Sequence, residues 1–246
     1  MKKTLLALAA LSALAATPAF AEDDASMFSF NVGAVSDYRY RGISQTRLKP
    51  ALQGGVDVTL PAGFYVGTWA STIKWIKDAG GDANVEWDIY GGWKNEIVKD
   101  VTLDVGVLRY QYPSADLAIS PNTTELYAAV SYGPATLKYS HSVTNLFGFD
   151  NSKQSGYLDL SATFDVGGGF SLAPHVGYQK VRHNGDFSYT DVSLALSKEI
   201  VKGLTGSLTL VATDTKDING AKAYASPANG KNLGRAGVVA GIKYVF

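Results

Sequence analysis

Apolar and polar residues alternate with period two along most of the chain, as in strands whose two faces meet different surroundings. Phe28, Phe30, Val32, Ala34, Tyr38 and Tyr40 oppose Ser29, Asn31, Gly33, Asp37, Arg39 and Arg41, which predicts one long strand from Phe28 to Arg41. After a break over Gly42 to Pro50, Leu52, Val56, Val58 and Leu60 oppose Gln53 and Asp57. Phe64 to about Ile73 is a third strand, but Trp69 and Val66 fall on opposite parities, leaving its apolar face unassigned. Val85, Trp87, Ile89, Gly91 and Trp93 then alternate with Glu86, Asp88, Tyr90 and Lys94, and Val101, Leu103, Val105 and Val107 with Thr102, Asp104 and Gly106. Arg109 lands on the apolar parity, implying a bulge or a strand that has already left its apolar surroundings. Seven further strands follow by the same rule, ending with Ala236, Val238, Ala240, Ile242, Tyr244 and Phe246 against Arg235, Gly237, Gly241 and Lys243. About twelve strands result.

Short turns such as Pro61-Ala62-Gly63, Gly133-Pro134 and Gly167-Gly168-Gly169 alternate with longer polar connections, the longest from Asp214 to Gly234. The polar face carries too many charges for a packed interior, so the expected interior is a wet lumen with apolar side chains outward. Strands can cross lipid only as a closed barrel, because an open edge leaves backbone groups unpaired in hydrocarbon. The expected fold is therefore all-β, a transmembrane antiparallel up-and-down β-barrel of outer-membrane type. Aromatic residues should collect at its rims, with Phe28, Phe30, Phe64, Trp93, Phe164, Phe170, Tyr244 and Phe246 at one and Tyr38, Tyr40, Tyr139 and Tyr178 at the other.

Lys2, Lys3, an apolar run from Leu5 to Ala16 and Ala19-Phe20-Ala21 form a signal-peptide pattern, giving a leader over 1–21 and a barrel over 22–246. Export places the barrel in the outer membrane of a Gram-negative bacterium, with outer-membrane lipid and the barrel assembly machinery as partners. The chain has no cysteine, which removes disulfides and thiol chemistry, and its formal net charge of zero argues against nucleic acid as a partner.

Two stretches carry a family likeness: Ser36-Asp37-Tyr38-Arg39-Tyr40-Arg41-Gly42-Ile43-Ser44-Gln45-Thr46, followed by Pro50 to Gly55, and Gly63 to Ser71. They resemble the TorF-type porin family, conserved hypothetical outer-membrane β-barrel proteins. A carboxyl-terminal strand ending in Phe also resembles the closing strand of such barrels, which implies that Tyr244 and Phe246 form an assembly signal. The resemblance implies a channel for passive diffusion of small hydrophilic solutes or ions and brings no catalytic residues.

The inward parity makes Asp37, Arg39, Arg41, Glu86, Asp88, Asp104, Asp159, Asp191 and Arg235 the lumen and selectivity candidates. With the first and last strands paired, Arg39, Arg41 and Arg235 should form a basic seam facing acids further round the wall. A closed structural or adhesive barrel with partner-binding loops is the alternative. A lipid hydrolase is weaker, because Ser140 and Ser142 flank His141 on a strand and so point to the opposite face. The three histidines lack metal-ligand spacing and no phosphate-binding loop is present, so neither metal nor cofactor is expected.

Overall fold

The computed structural model describes residues 27–246, and the expected signal peptide lies outside the described residues. Twelve antiparallel strands form a closed ring. They are β1 (Phe28–Val35), β2 (Ala51–Thr59), β3 (Phe64–Thr72), β4 (Val85–Val98), β5 (Val101–Gln111) and β6 (Thr123–Tyr132). The second half comprises β7 (Ala135–Ser142), β8 (Gly156–Ala162, continued after a break by Phe164–Gly167), β9 (Phe170–Lys180), β10 (Tyr189–Val201), β11 (Leu204–Thr213) and β12 (Gly237–Val245). Each strand pairs with its neighbours in sequence, and β1 with β12 closes the ring. Short turns occupy one end, here the turn end. The connections 36–50, 73–84, 112–122, 143–155, 181–188 and 214–236 occupy the other, the loop end.

Outward positions are apolar and exposed, among them Val32, Leu52, Leu126, Val130, Leu158, Leu208 and Val238. An apolar outer band around a polar interior is the inverse of a soluble barrel and matches a hydrocarbon surrounding. The third strand is now assigned, because Val66 is outside and Trp69 is buried inside. At the turn end Phe30 stacks on Phe246 and Tyr244 on Phe246, with ring centroids 5.8 and 5.6 Å apart. Phe246 is level with Phe30, exchanging both backbone hydrogen bonds with it, two residues further along β1 than a start near Phe28. Tyr139 and Tyr178 lie outside in the loop-end half, on either side of Leu158.

Two expectations need correction, and the choice left open at Arg109 is decided for a strand that has left its apolar surroundings. The first strand ends at Val35 rather than Arg41, and the chain then turns inward. Tyr38 and Tyr40 are consequently buried at 5% and 8% exposure rather than placed at an outer lipid interface. The β5 ladder is regular past Arg109, where Ile89 and Thr124 are its partners, so no bulge lies there; Arg109 sits near the loop end and donates to Thr124 Oγ1 at 2.8 Å.

Candidate functional site

Between β1 and β2 the segment 36–50 folds into the mouth of the barrel as a two-residue β-hairpin, pairing Arg39 with Ser44 and Tyr40 with Ile43. Arg41 and Gly42 form its turn with φ of 47° and 78°. Positive φ at both central residues is what a type I′ hairpin turn demands. A Cβ on Gly42 would lie 2.6 Å from Cβ of Asp191, so the tip presses on the wall at β10. Asp37 fixes the base of the hairpin by accepting from Arg39 Nε (2.5 Å), Ser44 Oγ (2.5 Å) and Thr46 Oγ1 (3.2 Å).

The hairpin spans the lumen. Arg41 donates twice to Glu125 of β6, at 3.0 and 2.7 Å, and once to Gln179 of β9 at 2.7 Å. Its guanidinium also lies over the rings of Tyr40 and Tyr157, 4.8 and 4.3 Å from their centroids. Planar guanidinium suits this combination of a forked carboxylate and stacked rings, which lysine could not reproduce. Tyr38 Oη donates to Glu86 at 2.6 Å, as Tyr112 Oη does at 2.9 Å, while Tyr40 and Tyr110 join hydroxyls at 2.6 Å. Burial first, then the charges of Glu86 and Asp88, raises the Tyr38 phenol well above its ordinary value, so it stays a donor.

Neighbouring connections fill the remaining space. The short helix α1 (Trp75–Asp78) puts Ile76 into the same cluster as Tyr38, Tyr40, Trp69, Tyr110 and Tyr112, and Phe147 packs edge-on against Tyr40. Arg47 pairs with Asp78 of the helix, tying it to the segment that carries the hairpin.

Towards the turn end the lumen is lined differently. Tyr65, Tyr90 and Tyr127 point inward there, as Tyr157 does at the loop end beside Arg41, and each ring lies over a glycine of an adjacent strand, Gly92, Gly67, Gly106 and Gly177 respectively. A glycine leaves room for a ring to lie flat along the wall instead of standing across the bore. Their hydroxyls meet charges: Tyr65 donates to Asp104 at 2.7 Å, Tyr90 to Asp57 at 2.5 Å and Tyr157 to Asp191 at 2.9 Å. Lys138 Nζ sits 4.1 Å from the Tyr127 centroid.

The candidates are thus dispersed. Asp37, Arg39 and Arg41 belong to the hairpin, while Glu86, Asp88, Asp104, Asp159 and Asp191 face inward from the wall. Asp88 keeps one oxygen without a protein partner, and Asp159 lies 2.6 Å from His175 Nε2. The basic seam does not form as expected. Arg39 Nη1 does donate to the Arg235 carbonyl at 3.1 Å, yet Arg235 itself is exposed and Arg41 has crossed to the far wall. Glu125, Gln179, Asp57, Lys138 and His175 complete the lumen but were not among the candidates. Inward parity already placed Glu125; its partner Arg41 is 84 residues away and no local pattern joins them.

His141 lies outside beside Tyr139, while Ser140 and Ser142 face inward, as strand geometry requires. Within the lumen His175 contacts Tyr157, Asp159 and Asp191, and no serine among the described residues is hydrogen-bonded to it.

A family model described as "Bacterial protein of unknown function (Gcw_chp)" matches residues 20–246. The chain belongs to the Gcw_chp family. No curated protein matches it. Among solved structures it is similar to the KdgM porin, with a TM-score of 0.57 and 8% identity over 89% of this chain and 99% of that one. It is also similar to the NanC porin, with a TM-score of 0.53 and 11% identity over 89% and 98% of the two chains. A second KdgM structure, in complex with disordered oligogalacturonate, matches at a TM-score of 0.55 and 8% identity over 89% and 98%. At these identities the likeness establishes that this family member has the porin-type barrel fold.

Proposed function

We propose that the chain is an outer-membrane channel for passive diffusion of small hydrophilic solutes or ions, gated by its own hairpin. The observation that carries this reading is the lumen itself, polar and charged along a wall whose outer face carries an apolar band. The fold likeness to KdgM and NanC supports it, as does the resemblance of Ser36 to Thr46 to TorF-type porins, since that stretch is the hairpin. Oligogalacturonate in the KdgM complex suggests acidic oligosaccharide as one solute class, and the inward tyrosines offer flat rings on which sugar faces can stack. No catalytic step is assigned to the chain.

Asp37, Arg39, Arg41, Glu86, Asp88, Asp104, Asp159, Asp191 and Arg235 set ion preference in this reading. Arg41 is the central one, because it is the counter-charge to Glu125 beside Glu86 and Asp88. Replacing Arg39, Arg41 and Arg235 together with Gln therefore shifts reversal potentials in asymmetric salt toward cations; a folded triple variant with the parent's reversal potential removes these residues from the path. Tyr244 and Phe246 serve assembly, and Phe246→Ser lowers insertion but not export. A heat-modifiable Phe246→Ser barrel at normal outer-membrane levels would sink that role.

The filled mouth favours a second reading, a closed barrel whose loops meet an external partner. Single-channel recording in planar bilayers separates the two. Discrete conductance steps support the channel; silence from both the parent and a variant lacking the hairpin supports the closed barrel.

A further inference from the structure

Outside the lumen, a cavity of about 640 Å³ opens at the loop end between the ends of β9 and β10 and the connections above them. Lys180, Arg182, His183 and Lys216 line it, with Asp214 as its one carboxylate. The site lies on the outer face. Tyr178 and Lys180 project outward from β9, and both are exposed, while Thr190 of β10 pairs opposite Tyr178. Arg182 and His183 come from the connection 181–188 and Lys216 from the one after β11.

Two of these side chains are already placed by the backbone: Lys216 Nζ donates to the Gly185 carbonyl at 2.8 Å and His183 Nδ1 meets the Asn151 carbonyl at 2.8 Å. By contrast the Lys180 ammonium and the Arg182 guanidinium have no hydrogen-bond or ion-pair partner among the described residues. Asp214 is partly engaged, since its Oδ1 accepts the Thr190 amide. The cavity thus carries an excess of positive charge. Immediately towards the turn end, the same outer surface becomes Leu158, Val176, Val192 and Leu194, all exposed and apolar.

Basic groups clustered over an apolar outer wall match an amphiphile whose head is a phosphate and whose chains lie along the barrel. We propose that this cleft, at the end whose longer loops face the exterior in outer-membrane barrels, binds the phosphorylated headgroup of an outer-leaflet lipid. Lys180 and Arg182 take the phosphate oxygens, Lys216 adds charge from the opposite side, and the Tyr178 ring packs at the junction of head and chains. Arginine and lysine both recognise phosphate, the first through its fork and the second as a point charge. The proposal needs the barrel to stand in a membrane but is independent of whether the lumen conducts.

Native mass spectrometry of the detergent-folded barrel, titrated with bisphosphorylated lipid A and with the same lipid stripped of phosphate, tests it. One phosphorylated lipid should bind per barrel, and the triple variant Lys180→Gln, Arg182→Gln, Lys216→Gln should lose at least about tenfold in affinity. Asp214→Asn, which keeps an oxygen for the Thr190 amide, should instead tighten binding. Equal retention of the dephosphorylated lipid, or an unchanged affinity in a triple variant that remains heat-modifiable, overturns the proposal. Inorganic phosphate at millimolar concentration is the competing probe: failure to displace the lipid supports the lipid assignment, whereas full displacement assigns the cleft to free phosphate and overturns it.

Discussion

At the loop end of the lumen, Glu125 meets Arg41 carried in by the chain's own hairpin, whereas towards the turn end Asp57 and Asp104 meet tyrosines that belong to the wall. Both regions satisfy inward carboxylates. In the first the satisfying group fills the mouth; in the second it lies against glycine on the wall instead of entering from a loop. The contrast shows that an inward polar face does not by itself determine how open a barrel is. What matters is whether its partners come from the wall or from an inserted segment.

Removing the inserted segment gives the largest effect. Replacing 37–46 with a short Gly-Ser linker should raise single-channel conductance at least about threefold, because the mouth ceases to limit the path. An unchanged conductance from a heat-modifiable barrel would mean that the limiting constriction lies in the tyrosine-lined half. Next comes Arg41→Gln. Breaking a buried ion pair while leaving its carboxylate behind costs about 3–5 kcal/mol, and Arg41 and Glu125 expose only 5% and 2% of their side chains. Limited proteolysis should then cut within 36–50, and the current should fluctuate between levels. Pairing it with Glu125→Gln should restore much of the protection; equal cleavage in the single and double variants would show that the pair does not hold the hairpin.

The smallest effect belongs to the wall. A Cβ at Gly92 would lie 2.6 Å from Tyr65 Oη and 2.5 Å from the Val105 carbonyl. Gly92→Ala should cost about 1–3 kcal/mol as overpacking and reduce conductance modestly as Tyr65 is pushed towards the axis. Gly54→Ala on the outer face, where the contact is the Asn31 carbonyl at 3.1 Å, is the control. Identical currents from the two variants would remove the glycine from any part in keeping the bore clear.

The wall was legible because hydrocarbon outside and water inside impose opposite demands on successive residues, so Val32, Leu126 or Val238 alternates with Asn31, Glu125 or Gly237; the third strand was the exception, because Trp69 turns inward to pack against the inserted hairpin. The hairpin was not, for the same reason. Arg39–Tyr40 and Ile43–Ser44 are themselves strands, so period-two alternation runs on from Val35 although the chain has left the wall. The available signal was Arg41-Gly42, a glycine at the second central position of a two-residue turn. Inward direction could be read at Asp37, Arg39 and Arg41, but their partners depend on contacts across the ring that no neighbouring residue encodes.

Arg39 carries a consequence for how the molecule is made. Its guanidinium Nη1 donates to the carbonyls of Leu233 and Arg235, just ahead of β12, and to that of Gly42 within the hairpin. Arg41, two residues on, needs β6 and β9 already in place. Docking of the hairpin therefore follows the zipping of the last strand onto the first, and it costs an ordering entropy that only the finished ring can offset. A chain arrested before closure still exposes Ser36 to Thr46, so proteases meet a segment whose disappearance marks a completed barrel.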